Sequence, residues 1–182
     1  MNYALRCMPP SCIAQQATAF DGLVIEAAQL KLLLHEDEAS RHPTLERLRA
    51  PLRHGGFGLT SARKTSPAAF LGSMAAVAAA PVFAPYSEPD CPLPATSLVH
   101  GWIEDSMRTI LDDVRASQDE MTKCESLLPP SAATFFQHFA PRSPSFKNSP
   151  AYVLQHELSS QATATTYKAS LQRAMKDRKS VV

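Results

Sequence analysis

The sequence predicts an all-α fold: an irregular helical bundle with two proline-rich connections, partly disordered. Three observations lead there. Apolar residues recur at steps of three and four over several long windows, the spacing of one helix face. No window shows the strict apolar/polar alternation of a half-buried strand. The 15 prolines of the 182 residues gather largely in two stretches, 81–94 and 129–150. They divide the chain into a helical segment over 1–80, a linker over 81–96, and a second helical segment over 97–182 that carries the 129–150 insertion.

The first helix starts at Ser11, a capping residue after Pro9-Pro10. Ile13, Ala17, Phe20, Val24, Ala27, Leu30 and Leu34 then fall at helical steps and predict one buried face. Gly22 weakens this helix by about 1 kcal/mol relative to alanine, and Asp21 is placed to cap a restart. The helix fades in Glu36-Asp37-Glu38. A short second helix over Pro43–Arg49 buries Leu45 and Leu48, and Pro51 ends it because proline disfavours the helical conformation in the residue before it. Gly55-Gly56-Phe57-Gly58 is a turn, with at least one glycine expected at positive φ. Ser66-Pro67 reads as a helix start, serine as cap and proline at the first helical position. Phe70, Leu71, Met74 and Val77 form its buried face, and Pro81 stops it.

Five prolines between 81 and 94 predict an extended linker. The clearest helix follows. Ser97 caps it, Val99, Ile103, Met107, Ile110, Val114 and Met121 mark its face, and Glu104 and Asp105 favour its first turns through the dipole. Within the second proline-rich stretch, Ser131 to Phe139 form one or two turns presenting Phe135, Phe136 and Phe139. These rings read as a small hydrophobic anchor, with base stacking as the alternative. Ser149-Pro150 repeats the helix-start signature, and Val153, Leu154, Leu158, Tyr167, Leu171 and Met175 continue roughly in phase.

Composition narrows the function classes. The formal net charge is +1, aromatics are 7% and charged residues 19%, which excludes collagen, coiled-coil and disulfide-scaffold classes. Global charge makes no case for nucleic acid or membrane. Locally the charge is uneven: residues 41–64 carry six bases and one acid, and residues 88–126 carry nine acids and three bases. The basic block either pairs within the fold or forms a phosphate-facing patch. Cys7, Cys12, Cys91 and Cys124 match no zinc or Cys-x-x-Cys spacing and read as free thiols. No stretch approaches the roughly 20 apolar residues of a membrane span, and Met1 to Pro10 lacks a signal core. An intracellular protein, cytoplasmic or nuclear, is expected, with no membrane contact. Lys176-Asp177-Arg178-Lys179 reads as a solvated helix end, with a nuclear address as the alternative.

The segment Pro51-Leu52-Arg53-His54-Gly55-Gly56-Phe57-Gly58-Leu59, followed by Ala68-Ala69-Phe70-Leu71-Gly72-Ser73, carries a resemblance. It resembles a pattern downstream of the polymerase domain in reverse-transcriptase open reading frames of non-LTR retrotransposons. Ala50 and Phe57 each stand where that pattern usually has leucine. Phe20-Asp21 looks like the helix that precedes the motif, and Leu154-Gln155-His156-Glu157-Leu158-Ser159 is similar to a later stretch of such proteins. The resemblance covers about a third of the chain. Reverse transcriptases place two metal-binding carboxylates in an aromatic-x-Asp-Asp hairpin, where Mg²⁺ ions clamp the reacting oxygens. The Asp112-Asp113 pair here lacks the aromatic, lies in the strongest helical pattern and follows the glycine motif. It therefore reads as helix surface.

The expected function is that of a non-catalytic tail segment or remnant of a retroelement reverse-transcriptase-like protein. It contacts nucleic acid, if anything, through residues 41–64. The phosphate-binding candidates are Arg53, Gly55, Gly56, Gly58, Arg63 and Lys64, whose glycine N–H groups and cations could cradle a phosphate. A purely structural turn is the favoured reading of the glycines. No cofactor, metal ligand set or catalytic residue is expected. The alternatives are a helical protein-interaction module using 97–124 as its contact face, and a decayed frame with no selected function. A protein partner belongs to the first of these; oligomeric state is left open.

Overall fold

The computed structural model describes residues 2–32, 47–50, 52, 56–78, 80–139, 154–161, 164, 165 and 168. Every regular element among them is helical, so the all-α expectation holds. In chain order these are α1 (Asn2–Cys7), α2 (Pro10–Leu32), α3 (Ala62–Ala76), the 3₁₀ turn η1 (Ala84–Ser87), α4 (Leu98–Val114), α5 (Gln118–Leu127), the 3₁₀ turn η2 (Ala132–Thr134) and α6 (Phe135–Phe139). Residues 154–161 are also helical. The expectations that fall on Leu34, Leu45, Ser149-Pro150, Val153, Tyr167, Leu171, Met175 and 176–179 lie outside the described residues.

α3 is the hub. α1 and α2 pack on one side of it, α4 and α6 on others. Small residues let neighbours approach on several faces: Ala68, Ala69, Gly72 and Ala75 are all buried. At Gly72 an added Cβ would sit 2.6 Å from the Gln155 Cβ, so the 154–161 helix crosses α3 where α3 has no side chain. The helix begins five residues earlier than Ser66-Pro67 predicts, at Ala62 instead of Pro67. Ser61 caps it by accepting from the Lys64 N–H at 3.2 Å, and Pro67 lies inside. A proline there removes the N–H that would reach the Arg63 carbonyl. The Ser66 hydroxyl donates to that same carbonyl at 2.9 Å. The Ser-Pro pair therefore bridges a gap of its own making and does not start a helix.

α4 follows its pattern. Ser97 caps it, and Ile103, Met107, Ile110 and Val114 are buried together with Ser106, whose hydroxyl donates to the Trp102 carbonyl. The long helix predicted up to Met121 is two helices. The chain turns at Arg115–Ser117, and α5 restarts with Asp119 and Glu120 in its first turn, where the helix dipole favours acids.

The stretch 81–96 is not the extended linker its prolines predict: it turns through η1 and meets the core at a few points, while most of its residues stay exposed. Phe83 stacks on Phe136 with ring centroids 4.6 Å apart, and Leu93 is buried. The Leu93 N–H donates to the Ala133 carbonyl and the Gln137 side chain to the Glu88 carbonyl, each at 2.9 Å. Prolines restrain this segment, and its few apolar side chains anchor it. Both segments contribute to one core, from Ala68 and Leu71 through Ile103 and Val114 to Phe135, Phe136, Leu154 and Leu158. Phe135 and Phe136 are fully buried and Phe139 nearly so, so the rings are core and not a stacking platform.

Lys168 is tied to α5 by a buried acid. The Lys168 ammonium bonds and ion-pairs with the buried Glu120 carboxylate. The hydrogen bond from Lys168 holds the Glu120 pKa below its usual 4.5, against the opposing effect of burial. A carboxyl with a depressed folded pKa contributes stability above its unfolded pKa and loses it as pH falls through the folded value. Acid melts should show this as an extra fall in thermal midpoint, beginning near pH 4.5 and continuing below, that Glu120→Gln lacks. Parallel curves for the two proteins would contradict the tether.

Candidate nucleic-acid interface

Three described bases of the 41–64 block, Arg49, Arg63 and Lys64, lie at the corner where α2, α3 and α4 come together. The corner begins with the glycine motif. Residues 47–49 are helical and Leu48 is buried. The chain then folds back so that three successive N–H groups donate to the carbonyls at the end of that turn. Phe57 reaches Arg47 at 3.2 Å, Gly58 reaches Ala50 at 2.9 Å and Leu59 reaches Leu48 at 3.0 Å. Terminal helix carbonyls need such partners. Gly58 supplies the expected positive φ, +69°. Gly56 is required for a different reason: a Cβ there would lie 2.1 Å from the Ala50 carbonyl oxygen.

The second half of the corner is the start of α3. Its first N–H groups form a ready anion site, and an anion of the chain's own fills it. Asp21, buried on α2, accepts from the Ala62 N–H at 2.6 Å and the Arg63 N–H at 3.3 Å, and from the Ser61 hydroxyl at 2.5 Å. Ser61 in turn accepts from the Lys64 N–H. A carboxylate at this end gains both the hydrogen bonds and the dipole. The backbone donors of the turn (57–59) and of the helix start (62–64) are thus engaged inside the chain.

What the corner presents outward is side chains. Arg63 and Lys64 are exposed in the first turn of α3 and line a cleft of about 790 Å³ between α2, α3 and α4. Arg49 joins them from the preceding turn, and Thr18, Glu26 and Asp113 complete the rim. The Arg63 guanidinium donates to the Thr18 hydroxyl at 3.4 Å. Loss of hydration along the cleft raises the Asp113 pKa above the usual 3.8, Lys64 opposing and Asp112 adding to the shift. Asp113 is an exposed residue of α4 that also lines the cleft.

Of the candidates named from the sequence, Arg63 and Lys64 lie together on the cleft, and Gly56 and Gly58 form the turn behind it. Arg53 and Gly55 lie outside the described residues. Arg49, one of the six bases of the 41–64 block, joins Arg63 and Lys64, whereas Asp21 and Ser61 were missed as members of this corner. Asp21 carried a signal, an acid inside an apolar helical pattern, but nothing local pairs it with residues 40 positions away.

The cysteines are free thiols, three exposed and Cys124 buried. Burial pushes the Cys124 thiol up to about 11, with Glu120 and Glu125 adding to the shift. Among the described residues no group of three or more His, Cys, Asp or Glu is gathered, and no helix is long and apolar enough to cross a membrane. The chain matches no protein-family model, no curated protein and no solved structure.

Proposed function

We propose that the chain is a non-catalytic helical segment of a retroelement reverse-transcriptase-like protein that contacts nucleic-acid phosphates through its basic stretch 41–64. The observation that carries this is convergence. Arg49, Arg63 and Lys64, separated by the glycine turn, line one cleft. Lys and Arg side chains at such a rim bind phosphates by releasing counterions, without needing a backbone cradle. The origin rests on the Gly55-Gly56-Phe57-Gly58-Leu59 motif and the residues that accompany it.

Fluorescence anisotropy with a labelled single-stranded 20-mer tests the contact. Three phosphate contacts on a single strand give a slope of log K against log salt of about −2. Arg63→Ala and Lys64→Ala should each weaken binding and flatten the slope by about 0.7, with thermal midpoints nearly unchanged. Binding indifferent to salt, or unaltered in the double variant, would remove the proposal.

The reading as a protein-interaction module gains support from a different place than 97–124. The apolar face of α4 is packed inside the fold, whereas α2 exposes apolar side chains.

A further inference from the structure

α2 does not bury the face that its periodicity predicts. Ile13, Ala17 and Asp21 are the buried residues, turned toward α3. Phe20, Ala27 and Leu30, expected on that same face, are exposed, and Leu23 joins them. Leu23 keeps 63% and Leu30 79% of its surface open, and Phe20 keeps 38%. Apolar residues that extend a helix's buried stripe to an adjoining one are normally covered as well. The exposed set 20, 23, 27, 30 follows steps of three, four and three, the a and d positions of two heptads.

From this exposed stripe we infer that α2 pairs in parallel with α2 of a second copy of the chain, along a short seam of Phe20, Leu23, Ala27 and Leu30. The charges beside the stripe choose this occupant and its direction. With Phe20 at a, Glu26 takes a g position and Lys31 the e position five residues on. In a parallel pair, g of one helix meets e of the other at that spacing. Each Glu26 then faces Lys31 of the second copy, twice over by symmetry, and both side chains are exposed in the single chain. The g positions of α2 are Cys12, Ala19 and Glu26, so an antiparallel pair, in which g faces g, offers Glu26 no cation. Ala27 between two leucines leaves room for close approach. The seam is two heptads long, so the dimer is weak and dissociates on dilution.

Sedimentation equilibrium of the full chain over a range of concentrations is the test. The wild type should show a monomer–dimer equilibrium. Leu23→Glu should raise the dimer Kd at least about tenfold, and Glu26→Lys should weaken the dimer by setting lysine against Lys31. Glu26→Lys combined with Lys31→Glu should recover it. Thermal midpoints and helical circular dichroism should stay at wild-type values, since these side chains are exposed. A monomer at every concentration overturns the inference. So does a dimer that Leu23→Glu leaves intact, or one that the charge exchange fails to restore.

Discussion

Asp21→Ala should destabilise the protein by about 3 kcal/mol or more, one of the two largest single-residue effects expected here. The carboxylate accepts from two backbone N–H groups and a hydroxyl, and it is 9% exposed. Removing it leaves donors at the start of α3 without partners. Each buried donor so orphaned costs about 1–3 kcal/mol, and a lost cap alone costs about 1 kcal/mol. The same carboxylate ties α2 to α3, so the α1–α2 layer should loosen as well. For a chain of this size the midpoint should fall by about 10 °C. Asp21→Asn keeps one acceptor in place but loses the charge, and should fall between wild type and alanine. A midpoint for Asp21→Ala within about 2 °C of wild type, less than 1 kcal/mol on that scale, would mean that this contact does not hold the corner.

Gly56→Val should be comparable in size, for a steric reason. Its Cβ would lie 2.1 Å from the Ala50 carbonyl oxygen and 2.5 Å from the carbonyl carbon. Backbone occupies that space, so the turn itself must move. Moving it breaks the donors of Phe57, Gly58 and Leu59 away from the carbonyls they satisfy. Forced overpacking costs about 1–3 kcal/mol, and the lost hydrogen bonds add about 1 kcal/mol each. Gly58→Ala should cost less, about 1–2 kcal/mol, because only its positive φ resists a side chain and the nearest atom to the new Cβ is at an ordinary 3.5 Å. Equal effects at the two positions, by chemical denaturation, would contradict the distinction between close approach and left-handed φ.

Local signals in the sequence were legible where one helix face meets one core. The α4 spacing and its Ser97 cap are of this kind, since both depend on residues within a turn of each other. Ser66-Pro67 was misleading because the dipeptide has two uses. It caps a helix when the chain before it is extended, and it repairs its own missing bond when Ser66 can reach the Arg63 carbonyl. The stretch 81–96 reads as linker by proline count, but Phe83 and Leu93 find partners on α6 and the turn before it. At the candidate site, the glycine turn and the cations Arg63 and Lys64 were visible. The filling of the α3 start by Asp21 was not, because it joins residues 40 apart with no pattern between them. The same limit hid the split of α2 into two apolar stripes: steps of three and four do not say which stripe the fold covers.

The backbone donors of this corner are engaged within the chain, so the proposed phosphate contact falls to side chains alone. Backbone amide shifts of the ¹⁵N-labelled protein, followed while the single-stranded 20-mer is added, test it most directly. Shifts should be small and salt-sensitive, grouped on the rim around Arg49, Arg63 and Lys64. The amides of Phe57, Gly58, Leu59 and Ala62, each hydrogen-bonded within the chain, should exchange slowly and at the same rate with and without the 20-mer. Large shifts of the Gly58 and Ala62 amides, with inorganic phosphate alone producing the same pattern, would show a backbone cradle and contradict the account.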